Sequence, residues 1–330
     1  MALRPALLAA VAALLVAAPA AGAATNPWIE KTPLDIAHQG GEDEFPSNTM
    51  YAFERSLQVG ADMLELDVGV TKDGQVVVMH DTTVDRTTNG HGTVASFTLK
   101  QLRKLDAAYW FSGGSDAYRH DRARSAYRLR GVATGKRRPP KGFTAADFRV
   151  PTLKEVMKAF PRTPINIEIK GRTKAEALDE YLTNADALAR TLKPTKRRDL
   201  IVVSFKQEAV DRFHQLVPAL PVAPGIGGAA NWLLGGKSPG DGVVAFQLPI
   251  TYELGNQTLQ ITTKDNVARA HSEGYAWHTW LSDDGESPTI WGSLLDMGVD
   301  GVMTARPKAF AALLRKRGLG HKLHGRPPTR

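Results

Sequence analysis

The chain has 330 residues, 42% of them hydrophobic and 23% charged, which excludes collagen-like, disordered and coiled-coil architectures. It has no cysteine, so disulfide scaffolds, thiolate-bound zinc, iron–sulfur clusters and thiol nucleophiles are excluded too. The formal charge of +8 is local: nine basic residues and one acid lie between Arg119 and Lys141, and six basic residues without an acid between Arg315 and Arg330. The remainder is net acidic, which is not the basic face of a nucleic-acid binder.

Arg4 precedes an apolar run from Ala6 to Ala18, and Ala21-Gly22-Ala23 offers a small-residue cleavage site. Residues 1–23 therefore read as a secretory signal peptide and the protein as secreted. The run is short for a membrane anchor, and no second apolar span of ~20 residues follows. Residues 24–33 read as a linker, 34–314 as one domain and 315–330 as a basic tail.

Strands are predicted over Leu34–Ala37, Met63–Val68, Val76–His80, Ile165–Ile169, Leu200–Val203, Val222–Ile226, Val243–Leu248, Tyr275–Trp280 and Gly301–Met303. Several are continuous apolar runs, as in parallel strands buried on both faces. Between them, Asn48 is expected to cap a helix over Thr49–Val59 that stops at Gly60. Thr98 with Gln101, Thr152 with Glu155, and Ser204 with Gln207 have capping-box spacing. Ser287-Pro288 opens a helix that ends near Gly298. Repeated strand–helix units of this size imply an α/β fold, a TIM (β/α)8 barrel, with nine candidate strands for eight places. Residues 110–149, rich in Gly, Pro and charge, read as a long insertion between the His80 segment and the Glu168 strand. Its position suggests a mobile basic collar at the barrel mouth, with Lys136, Arg137 and Arg138 at its most charged point.

Four segments carry groups that buried strands normally avoid: His38-Gln39-Gly40-Gly41-Glu42, Glu65-Leu66-Asp67, His80-Asp81 and Glu168-Ile169-Lys170. Strand alternation puts Glu65 and Asp67 on one face, and Glu168 and Lys170 on one face. A two-residue Asp73-Gly74 hairpin loop would set Asp67 opposite His80. Three carboxylates in apolar strands demand compensation, and an all-oxygen set suits one divalent cation, Ca2+ or Mg2+. Lys170 reads either as an ion-pair partner for these acids or as a contact for a substrate anion. His38 and His80 are the natural acid/base pair.

These segments, in this order, resemble the glycerophosphodiester phosphodiesterase family, whose pattern includes a His-Arg-Gly strand end, a following Glu and Asn-Thr, Glu-x-Asp, His-Asp and Glu-x-Lys. Here they read His38-Gln39-Gly40, Glu42, Asn48-Thr49, Glu65-Leu66-Asp67, His80-Asp81 and Glu168-Ile169-Lys170. Val299-Asp300-Gly301-Val302-Met303-Thr304 is similar to the closing strand, so the resemblance spans about Ile36 to Pro307. It implies a TIM barrel and a cation held by Glu65, Asp67 and Glu168. It also implies His38 and His80 as general base and acid, and Lys170 on the phosphate of a small glycerophosphodiester substrate. Glu42 and Asn48 would be supporting loop residues, and Trp280, or else Trp277, an aromatic lining the alcohol pocket. Gln39 departs from the family's Arg and cannot supply a guanidinium grip on phosphate. The competing readings are a phospholipase C-like or D-like enzyme on the same barrel, and a non-catalytic binder of anionic wall polymers.

Overall fold

The computed structural model describes residues 26–29, 33–172, 178–281 and 285–320. The expected signal peptide and residues 321–330 of the tail lie outside the described residues.

Seven short strands lie parallel in the spatial order β5-β4-β2-β1-β10-β9-β6. They are β1 (Leu34–Ala37), β2 (Met63–Val70), β4 (Ile165–Ile169), β5 (Leu200–Val203), β6 (Ala245–Pro249), β9 (Ala276–Trp280) and β10 (Gly301–Thr304). The eighth place is taken by Val222, which bridges in parallel to both Val202 and Val243 and so closes the barrel. A full strand was expected over Val222–Ile226. Pro221 and Pro224 lack the N–H groups that a ladder needs, and Ile226 already begins a helix. The ninth candidate strand is outside the ring: β3 (Val76–Val78) runs antiparallel on β2. The chain thus follows the TIM-barrel plan, with helices α1 (Met50–Val59), α3 (Leu153–Ala159), α4 (Leu178–Leu192), α5 (Gln207–Leu216), α6 (Ile226–Gly235), α7 (Lys264–Ser272), α8 (Pro288–Met297) and α9 (Pro307–Lys316) between and after the strands. A single-turn helix, α2 (Leu99–Leu102), lies between β3 and α3. No helix among the described residues is long and apolar enough to cross a membrane.

Side-chain alternation decides what fills the barrel. Ile36, Met63, Ile201, Ala223, Ala245, Ala276 and Met303 form an inner cluster together with Trp28, which arrives from the segment ahead of β1. Asn26 anchors that segment by donating to Val244 O at 2.6 Å and Gly274 O at 2.9 Å, just before β6 and β9 begin. Leu64, Leu66, Ile165, Ile167 and Ile169 join an outer cluster with Leu188 and Phe213 of α4 and α5. Leu66 therefore sits on the face opposite Glu65 and Asp67, as the period-2 pattern requires.

The hairpin differs from expectation. Lys72–Gly74 make a three-residue loop, closed by Thr71 N donating to Gln75 O at 3.0 Å, with Gly74 in the left-handed region. Val68 then opposes Val78, and Met79 N, rather than any group of His80, bonds Asp67 O at 2.9 Å. One extra turn residue shifts the register by one. His80 lies beyond the strand.

The boxes at Thr98 and Thr152 form as expected, and Ser287 caps α8. Thr49, not Asn48, caps α1 by accepting from Ala52 N at 3.1 Å. Ser204 caps nothing: its hydroxyl donates to Ile169 O at 2.9 Å, and Gln207 Oε1 accepts from Gly225 N and Gly228 N. The outward hairpin of β7 (Thr251–Leu254) and β8 (Gln257–Gln260) was not anticipated, although Gly255-Asn256 is a two-residue turn signal.

Residues 110–149 are packed rather than loose. Phe111, Ala117 and Tyr118 form one small cluster, and Val132, Ala133 and Phe148 form another with Ala108 and Tyr51. Arg130 lies over the rings of Tyr109, Trp110 and Tyr127 at 4.3, 4.5 and 3.9 Å. The Lys136–Arg138 stretch folds onto the insert itself, with Lys136 N and Arg137 N both donating to Gly131 O.

His278 occupies the barrel interior against Trp28, and neither ring nitrogen has a hydrogen-bond partner. Gly301 makes the room, since a Cβ there would come within 3.1 Å of the imidazole and 2.8 Å of Ile36. Burial alone depresses the His278 pKa to about 4. The unfolded chain takes up this proton below its ordinary pKa near 6.5 and the folded chain does not. Stability is therefore lost as pH falls from about 6.5 to about 4, by roughly 3 kcal/mol in all. His278→Leu should be neutral or stabilising at pH 7.5 and should flatten the acid-side decline of the urea midpoint. An equally steep decline in that variant would refute this account.

Candidate active site

The C-terminal ends of β1, β2 and β4, with the loop after β3, bring the candidate residues together. Asp67 and Glu168 are directly paired across β2 and β4, one step beyond Glu65 and Asn166. Both strands point these positions into the barrel, where Asn166, just below Glu168, accepts from Gln247 Nε2 at 2.8 Å. One oxygen each from Glu65, Asp67 and Glu168 lies within 4.8 Å of the others. Asp67 Oδ1 is buried without a hydrogen-bond partner. Three converging carboxylates, with Asp67 Oδ1 accepting no hydrogen bond and facing only the Lys170 ammonium at 3.3 Å, are a donor set that fits a hard divalent cation.

The positive charge closest to them is Lys170, whose Nζ is 2.8 Å from Glu168 Oε1 and 3.3 Å from Asp67 Oδ1. One ammonium does not balance three buried acids. Burial, reinforced by Asp67, pushes the Glu65 carboxyl well above its usual range. Burial also raises Glu168, although Lys170 pulls the other way. Asp67 is held low in spite of burial, by Lys170, His80 and His38. The Lys170 pKa rises against its own burial because Asp67 and Glu168 retain the proton.

The end of β1 is sharply turned. Gln39, Gly40 and Gly41 have φ of 49°, 78° and 84°. For Gln39 this left-handed conformation aims its N–H at Glu65 Oε2, 2.6 Å away. Its side-chain oxygen accepts from Ser47 Oγ at 3.0 Å, so the amide that replaces the family's Arg is turned to the Ser47 wall. Asn48 is also left-handed, at φ 56°, and its side-chain amide donates to Asp67 Oδ2 at 2.9 Å. That bond, not helix capping, accounts for the residue.

Each histidine has its Nδ1 held by a carboxylate. His38 Nδ1 lies 2.5 Å from Glu42 Oε1, and its Nε2 is 4.0 Å from Glu65. Burial opposes a charge on His38, but Glu42 and Glu65 outweigh it and push the pKa up to about 10. His80 Nδ1 lies 2.7 Å from Asp81 Oδ1. Asp81 is gripped at both oxygens by Arg86, at 2.7 and 3.1 Å, and its carboxyl stays well below the usual range despite burial. With Nδ1 engaged, Nε2 is the ring nitrogen left for chemistry.

Trp280 faces inward at the end of β9, donates from Nε1 to Gln247 O at 3.2 Å, and meets Phe205 edge-on at 5.7 Å. Trp277 points outward and is buried against Trp232 and Phe246, so it is removed from the mouth. Sequence reasoning missed Phe205, which is 41% exposed beside Lys170. Counting alternate positions from Ile201 through Val203 would have found it. It also missed Arg86, Ser47 and Tyr118, which sit in loops without any period; Tyr118 OH meets Ser47 N.

The glycerophosphoryl diester phosphodiesterase family model matches residues 38–309. A glycerophosphodiester phosphodiesterase of Bacillus subtilis is 31% identical over 281 residues, 84% of this chain and 85% of its own. Another, from Caldanaerobacter subterraneus subsp. tengcongensis, is 29% identical over 86% of this chain and 99% of its own. Among solved structures, an Oleispira antarctica phosphodiesterase in complex with the product sn-glycerol-3-phosphate shares the fold at a TM-score of 0.61 and 19% identity, covering 86% of this chain and 97% of that one. The matched span opens on the histidine at the end of β1 and takes in all three carboxylates, His80 and Lys170, and on that footing the chain belongs to the glycerophosphoryl diester phosphodiesterase family.

Proposed function

We propose that the protein hydrolyses glycerophosphodiesters to glycerol 3-phosphate and an alcohol, using one divalent cation, Ca2+ or Mg2+, at Glu65, Asp67 and Glu168. The observation that carries this reading is the company kept by those carboxylates. Two imidazoles, each locked through Nδ1, both act electrostatically on Asp67. Glu65, Asp67 and Glu168 would hold the cation, which when bound would supply positive charge facing the phosphoryl oxygens and weaken the acids' pull on the His38 proton. His38 then takes the proton of the attacking hydroxyl through Nε2. As the new P–O bond forms and the P–O bond to the alcohol breaks, His80 gives its Nε2 proton to the departing oxygen. Lys170, released from its carboxylate partners, contacts a phosphoryl oxygen as negative charge shifts there. Glu42 and Asp81 fix the tautomer and orientation of the two rings, and Trp280 with Phe205 walls the alcohol side.

Assay of sn-glycero-3-phosphocholine, with release of choline and glycerol 3-phosphate as the readout, tests the reading. EDTA should abolish turnover and added Ca2+ or Mg2+ should restore it. Glu65→Gln, Asp67→Asn and Glu168→Gln should each fall below ~1% of wild-type activity while keeping the fold, because a hard cation loses charge and geometry with each oxygen removed. Full turnover by chelator-treated enzyme would sink the metal assignment.

His38→Ala and His80→Ala should each lose ~10²–10⁴-fold in kcat, whereas His91→Ala, whose exposed ring pairs only with Asp85, should stay near wild type. With a nitrophenol leaving group, His80→Ala should recover most of its loss and His38→Ala should not. Mild, equal losses on every substrate would exclude the pairing.

The exposed aromatic side of the mouth favours one rival, a phospholipase D-like preference for larger apolar substrates, since Phe205 is 41% exposed beside Trp280. Comparing kcat/KM on glycerophosphocholine and lysophosphatidylcholine separates the two.

A further inference from the structure

We propose that Arg86 is the positioning residue of His80, and that the 110–149 insertion holds it in place; the proposal rests on the reading of His80 as general acid. The histidines are built alike but braced differently. Glu42, which orients His38, makes no ion pair with an arginine among the described residues, and its Oε2 is buried without a hydrogen-bond partner. Asp81, which orients His80, has both oxygens taken by one guanidinium in the bidentate manner that Lys cannot reproduce. An Asp on a short loop beyond the last residue of β3 has no ladder to fix it, so the guanidinium supplies the geometry that the strand does not.

Arg86 is itself fixed by the insertion from two sides. Its guanidinium lies 5.0 Å from the ring centre of Tyr118. Its backbone oxygen is 3.1 Å from His120 Nε2, and the His120 ring stacks on Trp110 at 4.0 Å. Tyr118 is buried, and its hydroxyl also reaches Ser47 N, next to the Asn48 that bonds Asp67. The insertion therefore grips the His80 loop and touches the metal-side loop with the same tyrosine. Since Arg86 pairs with Asp81 rather than pointing a free charge at the mouth, its effect passes through His80.

Arg86→Gln should lower kcat on glycerophosphocholine roughly ten- to hundredfold with KM changed less than about twofold, as removal of an orienting partner does. With the nitrophenol diester the loss should shrink to less than about threefold, copying His80→Ala. The double variant Arg86→Gln/His80→Ala should be no worse than His80→Ala alone. Arg86→Lys, which retains the charge and one contact, should recover part of the activity and keep the leaving-group pattern; it also serves if Arg86→Gln does not fold. Equal losses on both substrates, or a loss that multiplies with that of His80→Ala, would overturn the proposal. If His80→Ala itself shows no leaving-group dependence, the general-acid reading fails and the proposal falls with it. If His80→Ala shows that dependence and neither Arg86 variant does, the proposal fails alone.

Discussion

Three carboxylates at the top of an apolar barrel, with one lysine among them, are the constraint around which the mouth is organised. Removing a charge from water costs several kcal/mol, and unlike charges or hydrogen bonds must return that energy. The surroundings read as a set of partial returns. Gln39 turns its N–H onto Glu65, Asn48 gives its amide to Asp67, and Lys170 divides itself between Asp67 and Glu168. Two of these returns have a backbone cost, visible in the left-handed Gln39 and Asn48. The compensation is still incomplete, and that incompleteness suits the cluster to holding a cation rather than to a closed ion-pair network.

The same logic separates the two histidines. His38 stands among uncompensated acids and is held protonated. At His80 the nearest acid is already neutralised by an arginine. Two imidazoles of one chemical type are thereby braced differently, one by a carboxylate alone and the other by a carboxylate that an arginine holds at both oxygens.

Most of this was legible in the sequence, for a physical reason. Carboxylates inside strands such as Met63–Val70 and Ile165–Ile169, and histidines just past the ends of others, violate an otherwise regular apolar pattern, and violations of that kind mark chemistry. The strands themselves were legible because parallel, doubly buried segments are nearly continuous in Val, Ile and Leu. What escaped depended on a single residue of turn length or on loops. The Lys72–Gly74 turn moved the hairpin register by one, and His80 reaches the site by leaving the strand, which no pairing rule anticipates. Asn48 has the composition of a helix cap, but the neighbouring Thr49 is the one placed to accept from α1, and only the tertiary fold assigns Asn48 to Asp67. Arg86 and Tyr118 lie far apart in the chain, and nothing local announces that they meet.

The barrel is not uniform around its circumference. β2 and β4 share five paired positions, whereas the closure between β5 and β6 passes through Val222 alone, fenced by prolines. Going round the ring, Val222 stands diametrically across from β1. The well-paired β2–β4 arc thus carries the carboxylates, and the thin seam carries Phe205 and the start of α6. Substitutions around Phe205 bear on that thin seam rather than on the β2–β4 ladder that holds the carboxylate oxygens. Such a division lets one chemical apparatus be kept while the clientele of alcohols changes.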